Sequence, residues 1–363
     1  MSRKRAPDQW LFLAVITMTL FGVLMVYSAS SFWALEHRGS SFYYLYRQAA
    51  WALLGLGAMV LAMATDYRRY RSPYWVYGIL AGCVLLQLAA LASPPMNGAR
   101  RWIWIGPFSL QPSEPAKLAL VLFLAYQLDR RRDQIHDLTQ ALLPCGLLAG
   151  PLVLLVLLQR DLGAAAMMVL LFGVLFFVAG LRLRVVLALG TAGLLLLTLV
   201  VLTEEYRLAR VMTFLDPDAD PQGAGFQMNQ SLLAVASGGV GGRSLGESRQ
   251  KLLYLPLPHT DFIYAVIGEE WGMLGCLAVV TAFGVVGWRG LRAALLAQDP
   301  FGAYLGIGIT VFLVGQALVN IGVVLGLLPT KGLPLPLISY GGSSLVVSLA
   351  AAGVLLNLSE HSS

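Results

Sequence analysis

The chain has 363 residues, of which 58% are hydrophobic and 12% charged, with a net charge of +6 and a mean hydropathy of +0.72. Folded in water, a chain with so little charge would expose large apolar patches, which excludes a soluble globular protein and indicates an integral membrane protein. Its apolar blocks approach the roughly 20 residues that a helix needs to cross about 30 Å of hydrocarbon, and they lack the alternation of barrel strands. The predicted class is all-α and multi-span, and no basic face interleaved with aromatics suggests nucleic acid.

In chain order, apolar blocks at 10–31, 47–65, 74–92, 114–128, 140–158, 163–181, 184–203, 262–288, 301–328 and 342–358 predict ten transmembrane helices in one polytopic domain over 1–363. The first block follows "SRKR" and reaches "SAS" at 28–30, as a signal peptide does. It is nevertheless long enough to span, and removing it would upset the charge balance of the loops, so it reads as the first helix. Loops on the N-terminal side hold Arg3, Lys4, Arg5, Arg68, Arg69, Arg71, Arg130, Arg131, Arg132, Arg182, Arg184, Arg289 and Arg292. The short loops opposite hold only Arg38, Arg47, Arg100, Arg101, Arg160 and Lys331. Basic residues concentrate in cytoplasmic loops, so both termini are expected in the cytoplasm and the long segment 204–261 outside the cell. Cys83, Cys145 and Cys276 fall inside predicted spans without metal-like spacing and read as small hydrophobes.

Polar residues within or beside these spans carry the functional information, because an ionised side chain at a span's centre costs about 2.5–3.5 kcal/mol on insertion scales. In "NGARRWIWIGPFSLQPSEPAKL", Pro112 and Pro115 flank Glu114, and Glu114 lies three residues before Lys117, on the same helical face. Two readings stand: a structural ion pair, or a Lys117 that joins Arg100 and Arg101, with Arg47 nearby in the same loop set, in holding an anion. Arg160 and Asp161 fill the next break, either as a solvated turn or with Asp161 beside Lys117 or Asp261. Within the long segment, "FQMNQSLLAVA" predicts a short interfacial helix with Phe226, Leu232, Leu233 and Val235 toward lipid. The following "SGGVGGRSLGESRQK" resembles a phosphate nest without Walker spacing, and Arg243, Arg249 and Lys251 are either solvated or aimed at a pyrophosphate.

Asp261 stands in "LPLPHTDF", after His259 and Thr260, at the start of the eighth block. It reads either as a helix N-cap or as a general base at the rim of an outward cavity. In a regular helix Glu269 and Glu270 lie about 12–14 Å deeper, too far for a short-range acid pair. The proline-rich "GLLPTKGLPLPLISYGGSSLV" breaks the last two blocks, and irregular backbone at that depth must be satisfied by protein or trapped water. It is either a packed re-entrant turn or a lining in which Lys331, Ser339, Ser343 and Ser344 face the outward cavity.

The blocks "GARRWIWIGPFSLQPSEPAKL", "QGAGFQMNQSLLAVASGG", "GESRQKLLYLPLPHTDFIYAVIGEEWG" and "NIGVVLGLLPTKGLPLPLISYGGSSL" resemble the signatures of the SEDS family, in the family's order and over essentially the whole chain. "LLPTKGLPLPLISYGGSS" looks closest to its cell-division branch. The resemblance implies a peptidoglycan glycosyltransferase that polymerises lipid II on the outer face of the bacterial cytoplasmic membrane, with Asp261 as its essential carboxylate. It also implies a class B penicillin-binding protein and other divisome proteins as partners, with Mg²⁺ or Mn²⁺ as a cation to be tested. A lipid II flippase and a non-catalytic divisome scaffold are the competing expectations. Two departures stand out: Arg160 replaces the family's usual proline, and Leu257 takes a position often held by Glu or Ala.

Overall fold

The computed structural model describes residues 6–361, apart from 97, 107, 203–207, 209–210, 215–224, 249–257 and 331. Each apolar block of the sequence coincides with a helix: α1 (Gln9–Arg38), α2 (Tyr43–Ala64), α3 (Pro73–Ala92), α4 (Ser113–Arg130), α5 (Leu143–Leu158), α6 (Leu162–Val178), α7 (Leu183–Leu202), α9 (Ile263–Leu295), α10 (Pro300–Val324) and α11 (Gly342–Glu360). A further helix, α8 (Phe226–Gly238), forms within the long segment, and a hairpin of β1 (Ile103–Ile105) and β2 (Phe108–Leu110) precedes α4. Among the described residues, seven helical stretches are long and apolar enough to cross a membrane. Those in α6 and α7 are shorter, and α4 carries Glu114, Lys117, Asp129 and Arg130.

The polar load of α4 is tolerated because neighbouring helices enclose it, leaving nearly every residue from Ser113 to Leu128 buried. α10 and α11 are also largely interior, while α2, α3 and α5 turn most of their surface outward. α2 and α11 pack closely at small residues, the usual device where lipid offers no hydrophobic drive between helices. A methyl group added at Gly353 would lie 2.4 Å from the Met59 carbonyl, and one at Gly55 would lie 2.5 Å from Leu349 Cδ1.

Polar contacts divide the bundle into two ends. At one, Asp8 caps α1 at the Leu11 N–H, pairs with Arg289 and donates its own N–H to Ser359 Oγ at 3.0 Å. Nearby, the Tyr67 hydroxyl donates to Asp299 at 2.6 Å and its N–H to Asn357 Oδ1 at 2.9 Å. The start of α1 and the end of α11 therefore share this end. The other end gathers the hairpin, residues 259–261 and the buried, non-helical stretch that leads into α11.

α9 is not the regular helix that the sequence suggests. It breaks at Gly272 (φ 66°, ψ −161°), where the glycine-rich loop after α8 inserts. The N–H groups of Arg243 and Ser244 donate to the carbonyls of Glu269 and Glu270 at 3.0 and 3.1 Å, and the Met273 N–H returns to Gly239 at 2.9 Å. The loop therefore spends the backbone donors of Arg243 and Ser244 on the broken helix, which replaces the phosphate-nest expectation. Arg243 lies 3.6 Å from the buried Glu269 carboxylate, and the Ser28 hydroxyl donates to Glu270. α8 confirms the predicted short helix: Met228, Ser231, Ala234 and Gly238 face inward, and Leu232 and Leu233 outward. Val235 departs from expectation by packing on Gly268, because the inserted loop draws α8 onto α9.

Candidate functional site

The turn bearing Asp261 is fixed by its own backbone. Three successive carbonyls are held: His259 O accepts from the Tyr340 N–H at 2.9 Å, Thr260 O from the Ser339 hydroxyl at 2.7 Å, and Asp261 O from Asn320 Nδ2 at 2.8 Å. Asn320 Nδ2 also donates to Leu333 O at 2.7 Å. α9 starts at Ile263 and its N-cap is Phe262, so the capping position expected for Asp261 lies one residue beyond it. The Asp261 side chain is half-buried and faces Gly332: a methyl group built on Gly332 would sit 3.0 Å from Asp261 Oδ2 and 3.9 Å from Arg101 Nη1. A carboxylate and a guanidinium thus converge on one small space kept open by a glycine. Arg101 Nε is buried without a hydrogen-bond partner among the described residues.

His259 is 1% exposed, boxed by Tyr44 with ring centroids 4.4 Å apart, by Tyr340 at 5.4 Å and by Trp33 at 6.1 Å. Burial pushes its pKa down to about 4, because charging an imidazole in this apolar box forfeits its hydration. It is a neutral packing group near neutral pH. Ser339 is likewise interior, its oxygen accepting from the Leu335 N–H at 2.8 Å while its hydrogen goes to Thr260.

Lys117 and Glu114 are both fully buried and pair at 2.8 Å, which realises the ion-pair reading. Lys117 also donates to Gln316 Oε1, and Gln316 Nε2 donates to the Pro334 carbonyl at 3.0 Å. The stretch after α10 therefore takes its backbone partners from amide side chains: Gln316 and Asn320 on α10, and Gln48 on α2, which reaches Ser339 O at 3.2 Å. This is how irregular backbone survives among apolar helices. On bundle depth, the packed-turn reading of this stretch is the one realised.

Asp161 is 2% exposed, so the solvated-turn reading fails for it. Its carboxylate caps α6 at the Ala164 N–H and accepts from Gln111 Nε2 and Ser113 Oγ, each at 2.9 Å; Lys117 is engaged elsewhere. Ser343 joins this group by accepting the Gln111 N–H at 3.2 Å. Arg160 is exposed and adopts φ 62°, a conformation closed to proline. Arg47 donates to the Tyr43 hydroxyl at 2.6 Å. Arg249, Lys251 and Lys331 lie outside the described residues. Sequence reasoning missed Gln48, Gln316, Asn320 and Gly332. The amides had a signal, since Gln316 and Asn320 stand four apart in an apolar run, on one costly helical face.

An apolar cavity of about 210 Å³ is lined by Gly163, Met167, Val319, Val323, Leu328 and Leu333, the last of these next in sequence to Gly332. Among the described residues, no three His, Cys, Asp or Glu side chains converge as a metal site would require.

A bundle of apolar helices, seven of whose stretches among the described residues are long and apolar enough to cross a membrane, with a carboxylate and a guanidinium meeting at one end, defines a membrane protein. The chain belongs to the FtsW/RodA/SpoVE family of cell cycle proteins, whose pattern matches residues 8–363. It is 45% identical to the probable peptidoglycan glycosyltransferase FtsW of Geobacter sulfurreducens, over 98% of this chain and 95% of that one. It is 41% identical to stage V sporulation protein E of Bacillus subtilis, over 99% of both. Among solved structures it matches a chain from a peptidoglycan synthase complex that coordinates polymerization and crosslinking (35% identity, TM-score 0.80). It also matches the rod shape determining protein RodA of Thermus thermophilus (32% identity, TM-score 0.73), each match covering 98% of both chains.

Proposed function

We propose that this protein is a peptidoglycan glycosyltransferase of the division branch, polymerising lipid II at the outer face of the bacterial cytoplasmic membrane with Asp261 as general base. Relatives named peptidoglycan glycosyltransferase, matched over nearly the whole chain, support the activity. The observation that carries the site is the convergence of Asp261 and Arg101 on the space over Gly332. In this reading all ten long helices cross the membrane, both ends of the chain lie in the cytoplasm and segment 204–261 lies outside.

Asp261 takes the proton of an acceptor sugar hydroxyl as that oxygen attacks the anomeric carbon of a second lipid-linked sugar. The new C–O bond forms as the bond to the lipid pyrophosphate breaks, inverting the carbon, and the pyrophosphate leaves with the electron pair. Arg101 is placed to meet the charge that develops on this leaving group, the kind of preorganised electrostatic contact that counts most in such reactions. The cavity lined by Met167, Val319, Val323 and Leu328 suits an isoprenoid segment by its apolar lining. A Mg²⁺ or Mn²⁺ ion arriving with the pyrophosphate would add charge neutralisation; the described residues supply Asp261 and no assembled ligand set. The expected partner is a class B penicillin-binding protein within the divisome, consistent with the match to a peptidoglycan synthase complex.

Purified protein in liposomes, given lipid II on the outside with and without the partner transpeptidase, tests this reading. Glycan strands that form with the natural protein and vanish with Asp261→Asn are the expected result. Lipid movement that survives Asp261→Asn without polymer would establish a flippase instead, and a natural protein that yields neither polymer nor lipid movement would leave a scaffold.

A further inference from the structure

We infer that Asn320 is a positioning residue for the Asp261 carboxylate, acting with Gly332 to set where that carboxylate stands. The inference rests on the reading of Asp261 as general base. One amide nitrogen, 1% exposed at residue level, bridges two chain segments far apart in sequence: the Asp261 carbonyl at 2.8 Å and the Leu333 carbonyl at 2.7 Å. Leu333 is the direct neighbour of Gly332, where an added methyl group would stand 3.0 Å from Asp261 Oδ2. The same pair of hydrogen bonds therefore fixes both the residue that carries the carboxylate and the wall opposite it.

Alternatives for this amide are weaker. It lies on α10 and its amide nitrogen donates to the backbone of both segments. If its role were only to satisfy two buried carbonyls, their partners would need no alignment with the carboxylate. Instead all three carbonyls from 259 to 261 are held by separate donors, Tyr340 N–H, Ser339 Oγ and Asn320 Nδ2, which removes the freedom of the turn to rotate. Gln316, one helical turn earlier, holds the next carbonyl along, Pro334 O, and is itself held by the buried Lys117. The wall thus has a rigid backing that ends in the Lys117–Glu114 pair. Misplacing a catalytic group by about 1 Å costs on the order of 100-fold in rate, so the turnover number should register the loss of this bridge.

The test compares Asn320→Leu, which keeps size and removes both hydrogen bonds, with Ile309→Ala, a control that loses buried packing elsewhere on α10. Both are assayed as full-length protein in liposomes with lipid II, alongside thermal melting. The inference expects Asn320→Leu to lower kcat by about 10- to 100-fold with KM within about twofold. It expects Ile309→Ala to lower the melting temperature while keeping kcat. Should Asn320→Leu fail to fold, Gly332→Ala and Gly332→Val press on the carboxylate from the other side without removing a hydrogen bond, and kcat should fall in that order. An unchanged kcat in Asn320→Leu, a loss no greater than its stability-matched control, or unchanged kcat in both Gly332 variants overturns the inference. If Asp261→Asn remains active, the general-base reading falls first, whereas an inactive Asp261→Asn beside a fully active Asn320→Leu defeats the positioning role alone.

Discussion

At the buried pair of Lys117 and Glu114 a single residue change strands a charge among apolar helices. Both side chains are fully enclosed, and Glu114 Oε2 has no hydrogen-bond partner among the described residues, so Lys117 is the main compensation for that charge. Lys117→Met should destabilise the protein by about 3–5 kcal/mol, because removing one partner strands the other in a medium that cannot solvate it. Glu114→Gln combined with Lys117→Met should recover most of that loss. Melting curves of the purified variants check both expectations, and a single variant no less stable than the double would contradict the pairing. Sequence placed these two residues three apart on one helical face, so their pairing was legible. Their third partner, Gln316, was not, since it arrives from a helix about 200 residues later and only the folded bundle brings it near. Asp161 teaches the same lesson in reverse. A charge in a short break reads as solvated, yet the hairpin and the start of α4 fold over it and supply Gln111 and Ser113.

Helices were the most legible elements, because hydropathy reports burial in lipid directly, and all ten apolar blocks fold as helices with ends shifted by a few residues. What hydropathy cannot register is the break within an apolar block. Nothing in "GEEWGMLG" separates a continuous helix from one split at Gly272, since glycine is tolerated in either. The inserted loop decides, and its glycines are dictated by contact. Gly242 has φ 78°, and a methyl group there would come within 2.2 Å of the Glu270 carbonyl. Gly242→Ala should therefore cost at least about 1–2 kcal/mol from backbone conformation alone, with the collision added, and should detach the loop from the break in α9. A lower melting temperature with faster proteolysis between residues 238 and 248 is the expected signature. Normal melting and unchanged protease resistance would mean that the loop does not lock α9.

For the whole molecule, the distribution of charge and the two-ended geometry make one joint claim about orientation. Asp8, Tyr67, Arg289, Asp299 and Ser359 meet at one end of the bundle, the end whose loops also hold most of the arginines, while Arg101, Asp261 and Gly332 meet at the other. A polymerase of outward-facing lipid-linked sugars requires the Asp261 end outside, which is also what the positive-inside rule demands of the arginine-rich loops. Cysteine labelling separates this from the inverted arrangement. Cys83 and Cys145 are buried and Cys276 is half-buried, so a background with all three replaced leaves single reporters readable. Ser40, exposed just beyond α1 at the Asp261 end, and Gln298, exposed before α10 at the opposite end, are suitable sites. In intact spheroplasts, Ser40→Cys should react with a membrane-impermeant maleimide while Gln298→Cys reacts only after permeabilisation. The reverse pattern would put Asp261 in the cytoplasm, where polymerisation at the outer face is impossible, and would remove the proposed activity even if the local geometry of the site stood unchanged.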